Sequence, residues 1–151
     1  MINESAAICR NHRQHYAEII ERRLRNELSR LRNEFHQDVI QSCFIDDLLP
    51  VDEARKIFES FPDKSTMMLK KSLRENNYVA AQMNKYALVL EEIIYAFQDP
   101  RVLKVVEEIS GIEEMVPDDN LYAGGISLMA KDNFLNPLII LTIKIGSGTE
   151  C

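Results

Sequence analysis

Tyr16, Ile20, Leu24, Leu28, Leu31 and Phe35 recur at spacings of three and four. A helix of about 20 residues gathers all six into one apolar stripe. Its other faces interleave arginines with Glu18, Glu21, Glu27 and Glu34, and Glu21 to Arg25 is a favourable i,i+4 pair. Such a face is usually only solvated. Contact with nucleic acid and a seam between two copies are the sharper readings of it.

The period changes after Val39. Cys43-Phe44-Ile45 is a short apolar run that predicts a strand, closed by Asp46-Asp47. Pro50 lies before a helix predicted to run to about Ser60, with Val51, Ala54, Ile57 and Phe58 inward. Asp52 and Glu53 enrich its first turn, and Pro62 stops it. Thr66 to Leu73 reads as a second strand, and Asn76-Asn77 as a turn. Ala80 to Phe97 predicts a helix with a broad apolar face running from Met83 to Phe97. Asp99-Pro100 opens the next, with Val102, Leu103, Val106 and Ile109 as its stripe and Gly111 at its end. Met83 and Met115 read as core filling. Val116 to Asn120 is a loop and Leu121 to Met129 a strand, with Gly124-Gly125 marking a bulge or a close backbone approach. Asn133 to Pro137 reads as a turn that tucks in Phe134 and Leu135.

Composition narrows the class. The chain has 151 residues, 46% of them hydrophobic and 28% charged, enough for one globular core. No apolar run reaches the length of a membrane span, and the N-terminus does not read as a signal peptide. Cys9, Cys43 and Cys151 are odd in number and scattered, which fits free thiols and a cytoplasmic setting. The net charge is −6. Residues 1–32 hold seven arginines and four glutamates, a surplus of three positive charges, so the remainder carries −9. An acidic body argues against nucleic-acid binding, because phosphate contacts need clustered positive charge. No nucleic-acid or membrane partner is expected, while self-association through the N-terminal helix stays open. His12 and His15 share a helix face without a third ligand, a weak metal signal. Asp46 and Asp47 are far more ordinary as acids at a junction than as a catalytic pair.

The order of elements is familiar. Phe44-Ile-Asp-Asp-Leu-Leu-Pro50, Glu53-Ala54 with Phe58, and Tyr122-Ala-Gly-Gly-Ile-Ser-Leu-Met129 leading to Asn136-Pro137 resemble bacterial iron(II)/2-oxoglutarate-dependent oxygenases of the prolyl-hydroxylase-like superfamily. The resemblance covers residues 40–137 and is most specific over 121–137. It implies an α+β fold, with N-terminal helices followed by the early strands of a double-stranded β-helix, a jelly roll. It also implies Fe(II) held by two histidines and an aspartate, 2-oxoglutarate held by an arginine, and hydroxylation of an unactivated C–H bond.

In that family Asn-Pro precedes His-x-Asp. Here Leu138 and Ile140 stand at those two positions, and neither binds iron. His12, His15 and His36 lie in the N-terminal helical region, on the wrong element. This chain is therefore expected to bind no cofactor and to be an inactive, truncated relative. Tyr122, with Ser127 and Met129, is the candidate lining of a cosubstrate pocket, set against the more ordinary reading that alternate residues of this strand pack in the core. Tyr122 and Ser127 lie on opposite faces of one strand, so they cannot act together there.

The segment from Ile140 to Cys151 offers a reason. Some codon choices for it read, in another frame, as Ser-His-Asn-Lys-Asp-Arg-Glu-Arg-Tyr-Arg-Val, which resembles what the family carries after its metal motif. A frameshift or gene-model error, with a small deletion just after Pro137, is the expectation, against a native apolar strand over Leu138 to Ile145. The alternative is a small non-catalytic binding or self-association module. The expected organisation is an arginine-rich amphipathic helical segment over 1–38, the early part of an oxygenase-like domain over 39–137, and an aberrant tail over 138–151.

Overall fold

The computed structural model describes residues 4–37, 39–80, 82–119 and 125–135, with side chains described from residue 12 onward. The described residues form a mixed α+β arrangement of five α-helices and a four-stranded antiparallel sheet. The helices are α1 (Glu4–Asn26), α2 (Leu28–Phe35), α3 (Val51–Glu59), α4 (Leu88–Phe97) and α5 (Pro100–Ser110). The strands are β1 (Met68–Lys71), β2 (Glu75–Ala80), β3 (Ile126–Leu128) and β4 (Phe134–Leu135).

The N-terminal stripe forms as predicted, but on two helices rather than one. The helix breaks at Glu27, whose backbone leaves the helical region (φ −114°, ψ 14°) while its carboxylate pairs with Arg23 on one side and Arg30 on the other. Tyr16, Ala17, Ile20, Leu24 and Leu31 are buried against α4 and α5, packing on Ile93, Ala96, Val102, Val105 and Ile109. The predicted Glu21–Arg25 pair is present at 3.0 Å.

α5 also follows its sequence signals. The Asp99 side chain accepts the Arg101 backbone N–H at 3.0 Å, Pro100 sits in the first turn, and Gly111 takes the left-handed conformation (φ 73°) that ends the helix. Its inner face uses Val105 where Leu103 is expected.

Several expectations fail. Cys43 to Ile45 forms no strand and pairs with none among the described residues. Cys43 and Ile45 pack on the helical core, while Phe44 is 70% exposed. Within α3 only Ile57 turns inward, and Val51, Ala54 and Phe58 face outward. Asn76 and Asn77 lie inside β2 rather than in a turn. The turn sits at Ser72, whose hydroxyl accepts the Arg74 and Glu75 backbone N–H groups. The helix predicted from Ala80 begins only at Leu88, since Ala80 still pairs with Ile126 in the sheet. Met83 is buried core, whereas Met115 is only half-buried. Phe134 and Leu135 are strand residues and exposed, and the tight turn precedes them, with the Asn133 backbone N–H donating to the Ala130 carbonyl.

The sheet is built on β2. β1 lies along one edge, and β3 and β4 follow one another along the other. Two steps of β2, Asn76 to Tyr78, are matched by six on the partner, Phe134 to Leu128. The four additional residues loop out through the Ala130–Asn133 turn, so β3 and β4 act as one interrupted strand.

Candidate functional site

Side chains alternate across a sheet, and directly paired residues share a face. The register therefore sorts the sheet into two sides. Tyr78, Ala80, Ile126 and Leu128 face the helices and join a second core with Met67, Met83 and Leu90. Met68, Lys70, Glu75, Asn77, Val79, Ser127 and Leu135 form the opposite face. Met68 is 59% exposed there and Leu135 61%. Polar groups cluster in the middle of this open face. The Asn77 amide donates to the Ser127 hydroxyl at 3.1 Å, and Asn77 is 4% exposed with its other amide atom unpaired. The Lys70 ammonium approaches Glu75 at 3.6 Å.

Sequence reasoning singled out Ser127 on this surface but missed Asn77, because two adjacent asparagines read as a turn. Met129 lies beyond β3 and is 52% exposed. Tyr122, Asn136, Pro137, Leu138 and Ile140 lie outside the described residues.

The remaining polar candidates have structural partners. Asp46 and Asp47 act through their backbone carbonyls, which accept from Arg23 at 3.1 and 3.2 Å and tie the turn before α3 to α1. Asp47 adopts a left-handed conformation (φ 52°) that a short polar side chain tolerates. His12 and His15 line a cleft of about 660 Å³ with Tyr16, Glu53 and Lys56. In that cleft the Tyr16 hydroxyl donates to Glu53 at 2.9 Å, and the Lys56 ammonium reaches the same carboxylate at 3.1 Å. Lys56 first, then Tyr16, hold the Glu53 carboxyl below the usual carboxylate range. Burial, then the Glu53 hydrogen bond, pushes the Tyr16 phenol up to about 12. Burial also raises the free Cys43 thiol.

Among the described residues no group of three or more His, Cys, Asp or Glu side chains could hold a metal ion. The aliphatic side chains at 138 and 140 carry no lone pair for one. No described helix is long and apolar enough to cross a membrane. No protein family, no curated protein and no solved structure matches the chain.

Proposed function

We propose that this chain is the N-terminal portion of an iron(II)/2-oxoglutarate-dependent dioxygenase, inactive because its metal motif is lost after Pro137. One structural observation supports the reading most: a sheet whose one face packs on the helices, while the other buries Asn77 at its middle and exposes Met68, Ser127 and Leu135 around it. A double-stranded β-helix requires a first sheet whose other face meets a second sheet and lines the site between them. β3 and β4 also run along the edge of β2 toward Asn136-Pro137, behind which the family's ligands stand. An intact relative would hydroxylate a C–H bond with Fe(II) and 2-oxoglutarate. The jelly roll, the cofactors and the substrate chemistry belong to that relative.

A second reading, a small binding or self-association module, is favoured by a different observation. β1 is exposed along its whole length, with Met68 and Leu69 uncovered on opposite faces. An open apolar strand edge recruits other chains. The N-terminal stripe is buried inside the fold, so association would use a surface other than that stripe.

Restoring the reading frame after Pro137 and measuring Fe(II) and 2-oxoglutarate binding tests the proposal. The frame-restored protein should bind both, and the 151-residue chain neither. A frame-restored product without two histidines and an aspartate contradicts the oxygenase reading. A concentration-dependent, discrete oligomer of the present chain with cooperative unfolding supports the second reading.

A further inference from the structure

The α3 face that turned outward against expectation lines a groove. Val51, Ala54 and Phe58 fall at i, i+3 and i+7, so they form one stripe, and Phe58 is 76% exposed. Leu48 and Leu49 continue this apolar floor through a hollow of about 560 Å³. Asp47, Leu48, Leu49 and Val51 also line an adjoining hollow of about 480 Å³, which extends the floor to Ile19 on α1.

Arginines sit along both hollows. Arg55 lines the α3 side, and Arg22 and Arg23 line the α1 side. Arg23 is engaged with the Asp46 and Asp47 carbonyls and with Glu27. Arg22 and Arg55 are exposed and make no ion pair among the described residues. This contrasts with Arg25, Arg30 and Arg101, each of which is tied to carboxylates of its own chain. The Asp47 carboxylate is the one acidic group in the lining, so the groove is net positive.

An apolar floor with cationic borders is complementary to an amphipathic helix whose apolar stripe is flanked by carboxylates. The stripe buries in the floor and the acids meet the free guanidinium groups. We infer that the α1–α3 groove is a docking site for an acidic amphipathic helix of a partner protein. The inference does not rest on the oxygenase reading, since α3 and α1 lie outside the sheet.

The chain contains no tryptophan, so a tryptophan on a probe reports binding alone. The probe is a synthetic alanine-rich helix with one leucine stripe, glutamates along both borders and a single tryptophan. Its control carries lysines in place of the glutamates. Saturable binding of the acidic probe, about tenfold tighter than the control and weakening with salt, is expected. Phe58→Ala and the pair Arg22→Glu, Arg55→Glu should each weaken it by about tenfold or more. These side chains are exposed, so the variants should fold, which unchanged thermal unfolding would verify. Equal binding of both peptides, no saturable binding, or binding indifferent to all three substitutions overturns the inference. Dimerisation of the chain that Phe58→Ala abolishes also overturns it, by assigning the groove to a second copy.

Discussion

Glu92 is buried to 1% exposure on α4, and its only ion-pair partner among the described residues is Arg13 at 3.0 Å. Arg13 also stacks over the Tyr95 ring at 4.2 Å, which fixes the guanidinium between an aromatic face and a carboxylate. Removing one member of such a pair leaves the other's charge uncompensated. Arg13→Ala should therefore destabilise the fold by about 2 kcal/mol, while Glu92→Gln costs less, as measured by urea unfolding. Equal losses would contradict this role for Glu92. Tyr16 gives a pH test. Its phenol is bound more tightly as the neutral form in the folded chain, so stability from it is complete below pH 10. That stability is lost as pH rises from 10 toward 12. Tyrosinate absorbance should show a step near pH 12, and Tyr16→Phe should remove that step and flatten the alkaline loss. Neither Glu92 nor Asn77 was legible as a buried residue in the sequence. What buries a polar side chain is a partner distant in the chain, Arg13 for one and Ser127 for the other.

At the scale of elements, legibility followed local determinants. α5 carries its own start and stop signals, and it formed between Asp99 and Gly111 as the sequence implied. Asp99 is doubly engaged, capping the helix and holding Arg101, and that guanidinium first of all holds its carboxyl below the usual range. Asp99→Ala should cost about 1–2 kcal/mol, read by thermal unfolding, whereas Asp99→Asn should retain much of the cap. α3 was legible in extent but not in orientation. An amphipathic pattern reports which side is apolar, and Phe58 shows that an apolar side need not face the core. The region from Ala80 to Phe97 failed for the opposite reason. Its apolar density suits a helix, but pairing of Ala80 with Ile126 draws the chain into the sheet before Leu88. Such a pairing is set by residues 46 positions away and leaves no local trace.

For the whole molecule, the sequence conveyed the mixed α+β class and the core of helices. It did not convey that the sheet's open face would carry Asn77 and Ser127 together, because that juxtaposition needs the β2–β3 register. The exposed β1 edge has a solution consequence. Placing a charge inside the edge, as in Leu69→Lys, should reduce concentration-dependent light scattering of the purified chain while leaving its helical circular dichroism unchanged. Undiminished scattering would mean that another surface drives association.

The proposal that an oxygenase lost its metal motif after Pro137 rests on a coding-frame event, and nucleotide sequencing of the gene across codons 130–151 and onward tests it most directly. The proposal predicts codons that, read in a shifted frame, give the His-Asn-Lys-Asp-Arg-Glu-Arg-Tyr-Arg string, with a further histidine and an arginine downstream. Codons for Ile140 to Cys151 that cannot be read so, or non-coding sequence beyond them, would contradict it.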